Sequence, residues 1–373
     1  MSDSATSERR NYHTLDGLRG IAAISIVVLH TSRFFGDWKL PSSFLAVDLF
    51  FALSGFVLAS AYEKRFLAGM SALDFFRIRF IRLYPLYALG TFVGIPVALA
   101  AMKFPGLSVQ WNSTLLATSL PFSFLMLPTP RLGVSDVIYP FNPVLWSIFF
   151  EMLINMIYVS FIRALSNAAL LTTIAIAAIL LVIYGFDVQT LDVGYSWAGF
   201  PGGLLRVLFS FTAGILVFRW FGGGARYRSS LVAASFVLCV PLVFAVQQNI
   251  IFELAIVTLV FPALIAVASH VDPGVGLQKW FSAIGVASYA IYALHKPIYQ
   301  LLLAILKITL PLGPEYLTPW LGIAYVVALV FFCIWIDSVY DKPVRRFLSK
   351  RTAPRDGRGQ GRTALKGSVA LSD

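Results

Sequence analysis

Apolar residues run along this chain in ten blocks long enough to be membrane spans, separated by short polar or basic segments. A span needs roughly 20 mostly apolar residues. The blocks lie at about 15–34, 45–63, 83–102, 143–162, 167–185, 203–220, 230–247, 250–269, 282–303 and 318–338. The apolar piece 115–127 is shorter, is interrupted by Pro121 and is followed by Pro128. It reads as a re-entrant or interfacial segment, and whether it crosses is left open by its length alone. The pattern predicts an all-α fold: a polytopic membrane helical bundle of about ten transmembrane helices.

The basic residues orient that bundle. With the N-terminus in the cytoplasm and ten spans, twenty-one of the 29 Lys and Arg fall on the cytoplasmic side and five on the outer side. Cytoplasmic loops of membrane proteins are enriched in Lys and Arg, so both termini are expected in the cytoplasm. Counting 115–127 as a further span would place every later basic loop on the wrong side. Residues Met1 to Thr14 are polar and no cleavage site follows the first apolar run, which is therefore expected to stay as the first span. The chain divides into a cytoplasmic N-terminal segment (1–14), a membrane domain (15–341) and a basic tail (342–373). The tail is too polar to fold alone and is expected to be disordered and drawn to anionic lipid.

Composition narrows the class. Hydrophobic residues make up 58% and charged residues 13% of the 373 positions, against about 25% charged in soluble domains. A cytosolic enzyme, a disordered protein and a secreted disulfide scaffold are excluded. Cys239 and Cys333 sit far apart in apolar runs and offer no metal or redox motif. The net charge of +11 is scattered in short patches between spans, so no nucleic-acid face is expected. GxxxxGK[ST], HExxH and GxSxG are all missing from the sequence, and no metal site is expected.

Ionisable groups inside spans cost about 2.5–3.5 kcal/mol each on insertion scales and need a partner, a cavity or a task. Arg19 and His30 share the first span, eleven residues apart. That spacing is close to three helical turns, so both leave the same face about 16 Å apart along the axis. Asp16, one turn before Arg19, is placed to pair with it. A snorkelling arginine and a packed histidine are the structural alternatives. In the fourth span Ser147, Glu151, Asn155 and Tyr158 form one polar stripe. Glu151 is either a structural hydrogen-bonding group or a functional carboxylate. In the ninth span Ser288, Tyr292, His295 and Tyr299 share a face, and Pro297 removes a backbone hydrogen bond beside the histidine. That face suggests a wet interior, or else a packing histidine with a belt of tyrosines. Arg77, Arg79 and Arg82 cluster in the segment after the second span. Guanidinium forks suit phosphate, and a plain positive-inside anchor is the alternative.

The segments LDGLRGIAAISIVVLHT, AVDLFFALSGFVLAS, FFRIRFIRLYPLY, NPVLWSIFFEM and ASYAIYALHKPIY stand in this order. Over residues 12 to about 345 they resemble the bacterial acyltransferase-3 family of integral-membrane O-acyltransferases. Arg19 and His30 match that family's Arg-x10-His element, Arg77 and Arg79 its Arg-x-Arg element, and Trp146, Ser147 and Glu151 its Trp-Ser-x-x-x-Glu element. The resemblance implies acyl transfer, acetyl by default, from acyl-CoA (acetyl-CoA) to a hydroxyl of a cell-surface or exported polysaccharide or glycolipid at the inner membrane. Acyl-CoA is then a co-substrate and no tightly bound cofactor is implied. Partners would be acyl-CoA, a glycan or lipid-linked glycan acceptor and membrane lipids. Under this reading His30 is the general base, with Glu151 orienting or balancing its charge. Arg19, Arg77, Arg79 and Arg82 bind the donor, and Asp16, Ser147, Tyr292 and His295 line a cavity or touch the acceptor. No second catalytic domain is expected in this chain. The rival reading is a proton-coupled transporter or flippase, which also needs polar groups at depth.

Overall fold

A computed structural model of the protein describes residues 11–103, 109–133, 135–247, 249–309 and 317–352. Every one of the ten apolar blocks is helical. In chain order the helices are α1 (His13–His30), α2 (Ala46–Leu67), α3 (Ala72–Lys103), α4 (Ser113–Phe124), α5 (Trp146–Phe161), α6 (Asn167–Val188) and α7 (Phe200–Phe221). Then come α8 (Ser230–Phe244), α9 (Ile250–Ala255), α10 (Phe261–Ala268), α11 (Val275–Thr309), α12 (Trp320–Ile336) and α13 (Lys342–Thr352). Helices α9 and α10 are one span joined through a π-helical turn, Ile256–Val260, and α12 runs into α13 through another, Asp337–Asp341. A two-residue parallel pairing of Tyr227–Arg228 with Val271–Asp272 ties the loops between α7 and α8 and between α10 and α11.

Eight of these helical stretches are long and apolar enough to cross a bilayer. The other two expected spans are α1, whose Asp16, Arg19 and two histidines dilute it, and the shorter α8. Helix α4 has 12 residues, about 18 Å at 1.5 Å per residue, too short for a hydrocarbon core of about 30 Å. It does not cross.

Two boundaries differ from the sequence reading. Helix α3 starts at Ala72, so the Arg77–Arg82 segment is helix rather than loop. Ser71 explains the start: its hydroxyl accepts from the Asp74 amide (3.1 Å) and donates to the Asp74 carboxylate (2.6 Å). The hydroxyl thus satisfies one of the amides that the first helical turn otherwise leaves open, and the carboxylate fixes the hydroxyl in place. At the other end, residues 342–352 are not a disordered tail but α13, continuous with the last span and packed on α3. Ion pairs from Lys342 to Asp337 (3.1 Å) and from Arg345 to Asp341 (3.0 Å) fasten its first turns. Tyr340 donates to the Pro85 carbonyl of α3 at 3.3 Å. Residues 1–10 and the tail from 353 onward lie outside the described residues.

The centre of the bundle is α2 against α7. A Cβ on Gly55 of α2 would run into the Phe211 carbonyl of α7, and one on Gly214 of α7 into the Ala52 carbonyl of α2. Small residues on both sides let the backbones touch, as membrane helix pairs need. Above that contact Arg206 of α7 and Asp48 of α2 form a fully buried ion pair, with Nη2–Oδ2 at 2.6 Å. Arg206 also donates to the carbonyls of Val193 (2.7 Å) and Phe44 (3.1 Å), and its guanidinium lies 5.4 Å from the Trp146 ring centre. The charge is compensated on every side, which marks this pair as structural.

Removing one partner of such a pair strands a charge and costs about 3–5 kcal/mol, whereas replacing both with apolar groups is often nearly neutral. Arg206→Met alone should therefore lower unfolding stability in detergent by about that amount, and the Asp48→Leu/Arg206→Met double variant should recover most of it. Equal losses in the single and double variants would contradict this assignment.

Candidate active site

Five helices, α1, α2, α3, α5 and α11, enclose a cavity of about 170 Å³. Its walls on α2 extend from Val47 to Tyr62, fifteen residues or about 22 Å of helix rise. The space is therefore a long, narrow passage rather than a chamber. One end, which the charge asymmetry assigns to the cytoplasm, is lined by Arg19, Tyr62, Arg82 and Tyr289. The other end closes on Ser147 and Tyr292, whose hydroxyls are 2.7 Å apart. Tyr292 also donates to the Val144 carbonyl at 2.9 Å.

The arginine cluster divides. Arg79 and Arg82 are three residues apart on α3 and line the passage. Arg77, two residues from Arg79, is turned by about 200° and is exposed, 3.7 Å from Asp74. It does not line the passage, contrary to the grouping of all three that a loop would allow. Arg79 is buried and donates from Nη2 to Glu151 Oε1 at 2.6 Å, while Ser54 donates to the same oxygen at 2.8 Å. Arg19 and Arg82 take part in none of the described ion pairs, and Asp16 is not within ion-pair distance of Arg19. Among the lining residues three guanidiniums face the one carboxylate of Glu151, while Asp16 interacts electrostatically with Arg19 and Arg82, and Asp341 with Arg82, from outside the lining. A lining rich in guanidiniums favours an anionic ligand.

Glu151 was expected beside His30, and the structure places it elsewhere: it is the counter-ion of Arg79. The partner of His30 is His295, with His30 Nδ1 and His295 Nε2 2.8 Å apart. The two ring planes differ by only 10° and their centres are 5.1 Å apart. That separation equals the nitrogen–nitrogen distance plus one ring radius on each side, so the rings meet edge to edge in nearly one plane. His295 is fully buried and His30 only partly so. The pair lies just past the closed end of the passage, where the Tyr292 ring centre is 6.1 Å from that of His295. The polar face of α11 foreseen from the sequence is real: Ser288 and Tyr292 line the passage, His295 meets His30, and Tyr299 packs edge-on to Phe34.

Sequence reasoning missed Ser54, Asn142 and the Asp48–Arg206 pair. Asn142 had a signal. Pro297 has no amide hydrogen, so the carbonyl four residues back, at Ala293, loses its helical donor. Asn142 Nδ2 supplies one at 2.8 Å. The head of α5 is thereby bound to the weakened turn of α11 that carries His295.

A multi-pass membrane protein with a cationic internal passage ending near paired histidines is the class that fold and site define. The acyltransferase domain family matches residues 12–338, and the chain belongs to it. It is a membrane acyltransferase. Among curated relatives it is 37% identical over 177 residues to "Protein 2 in picA locus" of Rhizobium radiobacter, covering 45% of this chain and 92% of that protein. It is 34% identical over 148 residues to "Acyltransferase MdmB" of Streptomyces mycarofaciens, 36% of this chain and 35% of the relative. It is 23% identical over 379 residues to "Peptidoglycan O-acetyltransferase OatA" of Listeria monocytogenes, covering 93% of this chain and 58% of that protein. No solved structure is a significant match.

The ion pair inside the passage makes a stability prediction. The Arg79 and Glu151 side chains are 9% and 21% exposed, so Glu151→Gln should cost on the order of 2 kcal/mol, below the loss for a fully buried pair. Arg82→Gln, which breaks no described ion pair, should leave the unfolding midpoint nearly unchanged. Equal midpoints for the two variants would mean that Glu151 does not compensate Arg79.

Proposed function

We propose that the protein transfers an acyl group, acetyl by preference, from cytoplasmic acyl-CoA to a hydroxyl of a cell-surface or exported polysaccharide or glycolipid. The reaction is set in the inner membrane. The observation that carries this reading is the passage itself: guanidiniums outside the described ion pairs at its cytoplasmic end and a histidine pair beyond its inner end. Acyl-CoA is polyanionic at one end and carries its thioester at the end of a long thin arm. Arg19 and Arg82 suit the phosphates by charge and fork geometry. The arm suits a passage that is narrow and about 22 Å long. The name of the Listeria relative, a peptidoglycan O-acetyltransferase, supports oxygen as the accepting atom and acetyl as the group moved.

The chemistry follows from His30. Its imidazole takes the proton of the acceptor hydroxyl as that oxygen bonds to the thioester carbonyl carbon. The carbon–sulfur bond then breaks, and the thiolate leaves with the proton from the imidazole. Products are an O-acyl ester and free CoA thiol. General base catalysis of this kind contributes typically 10²–10⁴-fold. Glu151 acts at one remove, holding Arg79 against the passage wall. Ser147 and Tyr292, at the closed end, are the hydroxyls nearest the point where the acyl group must arrive.

In acceptor-dependent release of CoA thiol from acetyl-CoA by the purified protein, His30→Ala should lose at least about 100-fold while its unfolding midpoint stays within a few degrees. Arg82→Ala should instead raise the acetyl-CoA concentration needed for half-maximal rate. Full activity in His30→Ala would remove that histidine from the mechanism, and unchanged donor dependence in the Arg19→Ala/Arg82→Ala double variant would remove the guanidiniums from donor binding.

A further inference from the structure

We propose that His295 is the positioning residue for His30, fixing its tautomer so that the free lone pair lies on Nε2, and that Nε2 is the basic atom of the site. This rests on the reading of His30 as the base and adds which nitrogen acts and what holds it.

The assignment starts at the far side of the pair. His295 Nδ1 lies 2.8 Å from the Tyr292 carbonyl and 3.0 Å from that of Ile291. Carbonyl oxygens only accept, so Nδ1 carries the hydrogen. A neutral imidazole has one N–H, which leaves His295 Nε2 as an acceptor. The atom 2.8 Å from it is His30 Nδ1, which must then be the donor. His30 has spent its single N–H on that bond, and its lone pair points from Nε2. The chain of polarity runs from the backbone of α11 through two rings to one basic atom. Its direction would reverse only if His295 were a cation. His295 is fully buried, neither ring is hydrogen-bonded or ion-paired to a carboxylate among the described residues, and the next residue, Lys296, is itself a cation. A charged His295 would be uncompensated.

The surroundings hold His295 rather than His30. Tyr325 of α12 donates to the His295 carbonyl at 2.7 Å. Asn142 occupies the Ala293 carbonyl that Pro297 frees. The backbone at His295 and two residues before it is thus anchored by α12 and by the turn leading into α5, and the ring is locked by its own carbonyl bonds. His30 sits at the last position of α1 and takes its orientation from that fixed ring.

During transfer His295 keeps its proton. The acceptor O–H gives its hydrogen to His30 Nε2, the oxygen–carbon bond forms, the carbon–sulfur bond breaks and the thiolate takes the hydrogen back from Nε2. The transient imidazolium is stabilised through its Nδ1–H bond to His295, which two carbonyl dipoles polarise in turn. A neutral ring backed by carbonyls here does the orienting done by a carboxylate in a Ser-His-Asp triad.

The test is ¹⁵N NMR of the full protein labelled at histidine, in lipid nanodiscs without substrate, with the His30 signals assigned by difference against His30→Gln. The expected spectrum has a protonated-type shift at His30 Nδ1 and an unprotonated-type shift at Nε2. His295→Gln keeps an acceptor near the place of Nε2 and should preserve both that pattern and the rate to within about tenfold. His295→Phe keeps a ring but no acceptor. It should lose the pattern and about 100-fold or more in turnover, with the acetyl-CoA dependence unmoved. A wild-type His30 protonated on Nε2 would overturn the proposal, as would a His295→Phe variant that turns over normally. Absence of acyl transfer by the wild-type protein would count against the catalytic reading alone, because the tautomer is read without substrate.

Discussion

A charge held inside a bilayer must be compensated by protein or by water in a passage, and two groups of charges in the bundle meet this constraint in different ways. Asp48 and Arg206 compensate each other completely, with carbonyls and an indole filling the rest of the guanidinium's surroundings. Nothing is left over for a ligand. Arg79 and Glu151 are paired at the wall of a cavity that Arg19 and Arg82 also line, outside the described ion pairs. The first set ties α2 to α7. The second lies where α1, α3 and α11 close around α2 and α5. The first set is closed to a ligand because its partners surround it, and the second presents guanidiniums to a cavity.

Much of this was legible in the chain. The ten apolar blocks are helices because a span must satisfy its own backbone, so length and apolarity suffice to find one. The face shared by Ser288, Tyr292, His295 and Tyr299 followed from helical spacing and does point inward. What failed was register across helices. Arg77, Arg79 and Arg82 look equivalent in a loop, but Ser71 and Asp74 start a helix before them and two of the three turn one way. Glu151 was matched with His30 through the family resemblance, and a motif does not say which helices touch. Helix α11 packs against α1 and brings His295 to His30, while α3 brings Arg79 to Glu151. The end of the last span was misjudged because the basic composition of residues 342–352 hid the ion pairs that α13 makes back to Asp337 and Asp341.

The division of labour that results is economical for a two-sided reaction. In the proposed reaction the donor's charge is met by arginines near one surface, the thin arm is guided between apolar and hydroxyl-bearing walls, and proton transfer is left to a ring at the end of α1. Helix α1 carries both Arg19 and His30, and α11 runs alongside the whole path, with Tyr289 at the mouth, Tyr292 at the closed end and His295 behind His30. Proline and asparagine chemistry at Pro297 and Asn142 shows how that helix is held where its own ladder is broken.

The most direct measurement is a structure of the protein in lipid with a non-hydrolysable thioether analogue of acetyl-CoA. The phosphates are expected at Arg19 and Arg82, the arm threaded between α2 and α11, and the acetyl carbonyl beside Tyr292, within reach of His30. An analogue bound outside the passage, or with its acyl end at the guanidiniums, would contradict the proposed mechanism.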